Sequence, residues 1–173
     1  IDAFRTTGNR LLPMPVDPEG PRVDMAGLLA ASAPVRLAYV VPTFHNPTGS
    51  LMPEGARREL ARLSRISRIP IIEDNTLAEL ALTSDPPPPL AAYSRGAHIV
   101  SIASLSKVFW AGLRVGWIRA SRDIIARLAP HKAVADLGTS LIGQAIDVNI
   151  LAQADGLREL RRRQLAARLA FTE

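Results

Sequence analysis

The chain has 173 residues, of which 47% are hydrophobic, 21% are charged and none is cysteine. This composition predicts one globular unit with a buried core, and it excludes disulfide bonds and thiolate metal sites. We find no run of about 18 apolar residues and no signal-peptide pattern, so we expect a cytoplasmic protein that does not contact the membrane. Because the chain begins at Ile1 and ends within a helical pattern, we expect a fragment of a longer protein.

The predicted elements alternate along the first 120 residues. A short strand-like run at 11–16 is followed by a helix over 25–31, for which Asp24 is the capping residue. Further strands are predicted at 37–41, 70–73, 99–103 and 115–119, and we place Ile1 at the end of a strand or turn. These runs are continuously apolar, which favours a mainly parallel sheet with helices on both faces, an α/β fold.

A helix is predicted to begin at Pro53, between the strands at 37–41 and 70–73. Its apolar side is formed by Ala56, Leu60, Leu63 and Ser67. The helix also carries five arginines, which we expect to point mainly away from the core: Arg57, Arg58, Arg62, Arg65 and Arg68. Four consecutive prolines at 86–89 predict an extended surface connection.

From about residue 123 the pattern is helical. Pro130 is predicted to break or kink this region, and a leucine repeat between 157 and 169 predicts an amphipathic final helix. We therefore divide the chain into a partial large domain at 1–130 and a helical connection at 131–173. The net charge of +5 comes largely from arginines on the amphipathic helices, and only 5% of the residues are aromatic. We do not expect this segment to bind DNA itself.

Side chains that carry chemistry lie close to the ends of the predicted strands. An Asn-Pro-Thr-Gly turn follows the strand at 37–41, a Glu-Asp pair ends the strand at 70–73, and Ser-Leu-Ser-Lys follows the strand at 99–103. The candidate site residues are Asn46, Asp74, Ser104, Ser106, Lys107 and Arg114. Each alone is a common structural feature, such as a turn or a surface cation, but the ordered set is much less common.

These residue types match the four functional groups of pyridoxal 5'-phosphate. The Lys107 amine suits the aldehyde, with which a lysine forms a Schiff base. The Asp74 carboxylate suits the ring nitrogen, which it keeps protonated so that the ring can accept electrons. The Arg114 guanidinium, with the hydroxyls of the two serines, suits the phosphate. Asn46 can donate to the ring oxygen.

The sequence around these residues resembles that of a known family. The segments at 39–49 and 109–117 are similar to the aminotransferase class I/II domain of fold type I pyridoxal phosphate proteins, and most similar to MocR/GntR-type transcription regulators. The resemblance covers residues 36–120. It implies that Lys107 is the Schiff-base lysine, that Asp74 is the partner of the ring nitrogen, and that Asn46 donates to the ring oxygen. Ser104, Ser106 and Arg114 would then bind the phosphate.

The sequence departs from the family pattern at two places. Many members carry a tyrosine two or three positions after the aspartate, where this chain has Thr76 and Leu77. Ala111 replaces a proline that often precedes the Gly-Leu-Arg turn. The identity of the second donor to the ring oxygen therefore stays open. We expect the replacement of the proline by Ala111 to be tolerated.

The resemblance leaves two functions open. One is the effector-sensing part of a regulator that binds DNA through a winged helix outside this chain. The other is a stand-alone aminotransferase acting on an amino acid and a 2-oxo acid. Both imply a small-molecule amine or amino acid as ligand and a homodimer. The glycine-rich phosphate loop and the arginine that binds a substrate carboxylate are not found in this sequence.

Overall fold

A computed structural model describes residues 2–82, 85–93 and 98–172. Its first half contains helix α1 (Asp2–Thr6), strands β1 (Val16–Asp17) and β2 (Gly20–Pro21), helix α2 (Val23–Ser32), strand β3 (Ala38–Val40) and helix α3 (Glu54–Ser67). Then follow strands β4 (Ile71–Asp74), β5 (Ile99–Ser104) and β6 (Gly116–Arg119), and helices α4 (Arg122–Asp136), α5 (Leu141–Ala152) and α6 (Ala154–Thr172). Strands and helices alternate from α2 to β4, as the sequence predicts.

A four-stranded sheet lies at the centre of the fold, with the strand order β3-β4-β5-β6. The pairs β3·β4 and β4·β5 are parallel, and β6 runs antiparallel to β5. The predicted α/β class with a mainly parallel sheet is confirmed. Because β6 is antiparallel, its first residue lies beside the last residue of β5, and Ser104 pairs with Gly116.

One face of the sheet packs on α2 and α3. Val40, Ile71 and Ile99 contribute one buried side chain each from three adjacent strands. Opposite them lie Leu60 and Ala61 of α3, together with Val23, Met52 and Leu90. Side chains alternate between the two faces of a strand, so Glu73 of β4 shares this buried face, whereas Asp74 belongs to the other face.

Arg57 does not point away from the core as predicted. It is fully buried, and it lies on the same stripe of α3 as Leu60, Ala61 and Ser64. A spacing of three, four and seven residues places these side chains on one helix face. Arg57 can occupy that face because its guanidinium finds buried oxygen acceptors there, which offsets the loss of hydration.

One further prediction is wrong in its details, because the strand predicted at 11–16 is limited to Val16–Asp17. Residues Asp2–Thr6 form a short helix, with Asp2 in the first turn and paired to Arg5 at 3.3 Å. Ile1, which we placed at the end of a strand or turn, lies outside the described residues. Residues 85–89 have no regular structure, as the four prolines predict.

The last third of the described chain is helical, and Pro130 does not end α4, which continues to Asp136. A proline removes one helical hydrogen bond, and the bonds on either side of it remain. The predicted amphipathic final helix is α6. Its Arg158 pairs with Glu79, and its Arg162 pairs with Asp85 at 2.7 Å. Among the described residues, no helix combines the length and the apolarity that crossing a bilayer requires.

Candidate functional site

Two of the predicted site residues, Asp74 and Ser104, lie at the carboxyl ends of the two central strands, β4 and β5. Asp74 ends β4 and pairs with Ile102 of β5, and Ser104 follows Ile102 by two residues. Asp74 and Ser104 therefore share the sheet face opposite the α3 core. Tyr39 of β3 pairs with Ile72, so its side chain belongs to this face too. This shared face at the carboxyl end of the strands is where open α/β sheets bind ligands.

Asn46 lies in the loop that leads from β3 to α3. Backbone hydrogen bonds close this loop from His45 N–H to Ser50 O at 2.9 Å and from Met52 N–H to Pro42 O at 2.9 Å. Asn46 is exposed and precedes a cis peptide bond to Pro47. In the described part of the chain its amide has no hydrogen-bond partner, so that amide is available to a ligand.

Two residues of this loop have left-handed backbone conformations. Gly49 has a φ of 69°, which glycine adopts without steric cost. Phe44 has a φ of 53°, a conformation that costs a bulky residue about 1–2 kcal/mol. Strain of this kind persists where surrounding contacts hold the backbone, and it is concentrated at functional sites.

Arg57 holds both ends of the Asn46 loop. Its guanidinium donates to Pro42 O at 2.8 Å, to Thr43 Oγ1 at 2.9 Å and, through Nε, to Met52 O at 2.9 Å. A fourth bond reaches Pro88 O at 3.3 Å. Burial lowers the pKa of Arg57 below its usual value, and the charge of the buried Glu73 opposes this shift.

The Asp74 carboxylate is hydrogen bonded on both oxygens. Oδ1 accepts from Thr76 N–H at 3.0 Å and from the Thr76 hydroxyl at 2.7 Å. Oδ2 accepts from the Tyr39 hydroxyl at 2.5 Å. A carboxylate has about four lone-pair positions, so these three bonds leave room for one further donor. A protonated ring nitrogen would supply that donor.

Ser104, Ser106, Lys107 and Arg114 lie in or next to the connection from β5 to β6. Ser104 Oγ donates to Val115 O at 2.7 Å and accepts from Ser106 N–H at 3.1 Å. These two bonds fix the connection at both of its ends. The hydroxyl of Ser104 is thus already engaged in the turn, whereas that of Ser106 has no partner among the described residues.

Lys107 and Arg114 are the two cations of this connection, and both are exposed. Neither forms a hydrogen bond or an ion pair with any part of the chain that the structure describes. Arg114 has a φ of 53° and follows a turn of 3-10 helix at Ala111–Leu113. An unpaired amine and an unpaired guanidinium in the connection that follows β5 are suited to bind an anionic aldehyde.

Two contributors to this region were not found from the sequence. Tyr39 reaches Asp74 only because β3 and β4 pair in one particular register. Arg57 has the helical spacing of an inward-facing residue, which was a usable signal, but its charge argued for the surface. His45 bonds through Nδ1 to Thr48 Oγ1 at 2.9 Å and so stabilises the loop that carries Asn46.

The sequence of this chain matches a described family over nearly its whole length. The Aspartate amino-transferase family matches residues 3–170. The chain belongs to this family. Membership agrees with the resemblance of the motifs around Asn46 and Lys107, and with the α/β fold observed.

Both regulators and enzymes are among the relatives. The Bacillus subtilis (strain 168) uncharacterised HTH-type transcriptional regulator YisV is 35% identical over 153 residues, which are 88% of this chain and 32% of that protein. Aromatic-amino-acid aminotransferase 1 of Thermococcus litoralis is 31% identical over 151 residues, 84% of this chain and 36% of that enzyme. The chain therefore spans about a third of the length of these relatives.

The fold is shared with solved aminotransferase structures. LysN, the α-aminoadipate aminotransferase of Thermus thermophilus, superposes with a TM-score of 0.85 at 30% identity. The superposition covers 93% of this chain and 42% of LysN, which was crystallised with N-(5'-phosphopyridoxyl)-L-leucine. The chain is thus an aminotransferase-like domain segment with relatives of both functional kinds.

Proposed function

We propose that this chain supplies part of a pyridoxal 5'-phosphate site, and that the site belongs to the effector-sensing domain of a MocR/GntR-type regulator. The observation that carries the proposal is that Asp74 ends β4, while Lys107 and Arg114 lie in the connection that leaves the carboxyl end of the adjacent strand β5. These residues supply a carboxylate, an amine and a guanidinium, and the two cations have no partner in the described chain. LysN, with the same fold, binds a phosphopyridoxyl compound.

Each residue has a separate task in this proposal. Lys107 holds the aldehyde through its amine, and Asp74 keeps a proton on the ring nitrogen. Arg114, Ser104 and Ser106 bind the phosphate, and Ser104 also fixes the turn that carries them. Asn46 donates to the ring oxygen. When bound, the cofactor supplies an electron sink for a carbon next to an amine. The likeness to the HTH-type transcriptional regulator YisV and the sequence near Lys107 favour the sensor function.

A stand-alone aminotransferase is the alternative, and the likeness to the Thermococcus litoralis enzyme favours it. In either case the ligand is a small-molecule amine or amino acid, and the full-length protein is a homodimer. DNA would be bound only by a domain outside this chain. The division into a partial large domain at 1–130 and a helical connection at 131–173 also stays a prediction, as does a cytoplasmic location.

Reduction of the full-length protein with borohydride in the presence of pyridoxal 5'-phosphate tests the cofactor site. This chain contains two lysines, Lys107 and Lys132. Lys132 is the matched control because its amine pairs with Asp136 at 2.7 Å on α4. Peptide mapping should find the pyridoxyl label on Lys107. Lys107→Arg should abolish the label, and Lys132→Arg should leave it unchanged. A label on another lysine, with none on Lys107, would overturn the proposal.

A second experiment separates the regulator from the enzyme. The full-length protein is assayed for transamination with a panel of amino acids and a 2-oxo acid acceptor, and for binding to DNA from its own promoter region. DNA binding that changes with cofactor or amine supports the sensor. Efficient turnover without any DNA binding supports the aminotransferase instead.

A further inference from the structure

A phenol from a neighbouring strand contacts the Asp74 carboxylate. Tyr39 on β3 pairs with Ile72 on β4, and Asp74 lies two residues beyond Ile72 on the same face. This diagonal position is within reach of a long aromatic side chain. The Tyr39 hydroxyl donates to Asp74 Oδ2 at 2.5 Å. The strand register therefore brings the two residues together from 35 positions apart in the sequence.

Thr76 and Tyr39 hold Asp74 from different directions. Thr76 comes from the same chain segment and occupies only Oδ1, through its N–H and its hydroxyl. If Thr76 were the only partner, Asp74 Oδ2 would be free to change its orientation and to hydrogen bond with water. The Tyr39 hydroxyl bonds that second oxygen, so the two contacts together define the plane of the carboxylate.

The surroundings of Tyr39 favour a fixed donor. Its ring meets the edge of Phe4 from α1, with centroids 6.1 Å apart and planes at 62°. Burial raises the pKa of Tyr39 above its usual range, and the hydrogen bond and charge of Asp74 add to this shift. A hydroxyl whose pKa is raised in this way stays protonated at neutral pH and can donate to Asp74.

We propose that Tyr39 is a positioning residue that orients Asp74 toward the ring nitrogen of the bound cofactor. This inference rests on the proposed function, since it assigns a role within the same site. The resemblance leads one to expect a tyrosine after the aspartate, and this chain has Thr76 and Leu77 there. The phenol comes instead from β3, and it acts on the carboxylate.

The test uses the full-length protein with Tyr39→Phe, which removes one oxygen atom and keeps the ring against Phe4. Tyr93→Phe is the matched control, because Tyr93 is the second of the two tyrosines in this chain. Its hydroxyl is buried without a hydrogen-bond partner among the described residues, and its ring lies 4.7 Å from the Arg58 guanidinium carbon. Unfolding midpoints of the cofactor-free variants establish that both are folded.

Two quantities are measured for each variant. The first is the dissociation constant for pyridoxal 5'-phosphate, which we expect Tyr39→Phe to raise about tenfold, or about 1.4 kcal/mol. The second is the midpoint pH of the visible absorption change of the bound cofactor, which reports loss of the proton from the Schiff-base nitrogen and depends on the charge at the ring nitrogen. We expect Tyr39→Phe to shift this midpoint, whereas Tyr93→Phe leaves both quantities at the wild-type values.

A double-mutant cycle tests whether Tyr39 acts through Asp74. In the Asp74→Asn background we expect Tyr39→Phe to have no further effect on the affinity or on the midpoint. Equal effects of Tyr39→Phe in the two backgrounds would show that Tyr39 acts independently of Asp74, and would overturn the proposal. A wild-type dissociation constant and a wild-type midpoint in the Tyr39→Phe single variant would also overturn it.

Failure of the cofactor proposal gives a different result. If the wild-type protein carries no label on Lys107 after reduction, the proposed function and this inference fall together. If Lys107 is labelled and Tyr39→Phe behaves as wild type, only the positioning role is overturned. A labelled Lys107, a shifted midpoint in Tyr39→Phe and no additional effect in the Asp74→Asn background support both.

Discussion

Replacement of Arg57 by methionine should destabilise the protein by several kcal/mol. The methionine fills much of the same space and removes four hydrogen bonds, three of them to the ends of the Asn46 loop. A hydrogen bond to a charged group contributes about 1.5–3 kcal/mol, so the gross loss is roughly 6–12 kcal/mol. Relief from burying the guanidinium offsets part of it.

The net loss should also include the effect on Glu73. This buried carboxylate keeps its bonds from Leu90 N–H and the Ser101 hydroxyl, but it loses the favourable charge of Arg57. Removal of one charge from a buried interacting pair typically costs about 3–5 kcal/mol. We therefore expect Arg57→Met to lower the free energy of unfolding by about 3–5 kcal/mol.

Urea unfolding of the full-length protein measures this loss, with Arg62→Met as the control. Arg62 lies on the same helix, but it is half exposed and pairs with Glu59, and such surface pairs contribute about 0–1 kcal/mol. Amide hydrogen exchange adds a local reading, because the bonded amides of His45 and Met52 should exchange faster only in Arg57→Met. Equal stability of the two variants would refute the assignment of Arg57 as the clamp of the loop.

Two further predictions concern single charges. Arg114→Ala should weaken pyridoxal 5'-phosphate binding by about 1.5–3 kcal/mol, because a guanidinium bonds phosphate at two points. Arg114→Lys should recover part of this loss. Equal affinities of wild type and both variants by titration would show that Arg114 has only a structural role. Burial raises the pKa of Asp147, whose oxygens lack partners among the described residues. Asp147→Asn should therefore be more stable than wild type at pH 7, with the advantage shrinking as the pH falls through the raised pKa; a wild-type advantage at pH 7 would contradict this.

The central strands were predictable because their apolar runs are continuous. Val40, Ile71 and Ile99 lie in such runs, and each belongs to a strand of the sheet. The boundaries differ by one or two residues, as for β6, which begins at Gly116 rather than at residue 115. The site residues were also readable in order, since Asp74 and Ser104 each end a strand, although their roles stay predictions.

The features that the sequence did not reveal depend on contacts between residues that are far apart in the chain. The contact from Tyr39 to Asp74 requires the register of β3 on β4, which no local pattern encodes. The inward direction of Arg57 follows from helical spacing, but whether a buried guanidinium finds acceptors depends on the loop ends folding over it. Pro130 argued for a break or a kink, and α4 continues through it to Asp136, because a proline removes only one helical hydrogen bond.

The pairing of Ser104 with Gly116 closes a part of the site that is local in the sequence. Lys107 and Arg114 both lie within the short connection that this pairing closes, and the entropy cost of closing a short loop is small. Asn46, in contrast, follows β3, which like β6 is an edge strand of the described sheet but is held by pairing with the more distant strand β4. If β3 frays from β4, the Asn46 amide would leave the site first, while the spacing between Lys107 and Arg114 would be kept.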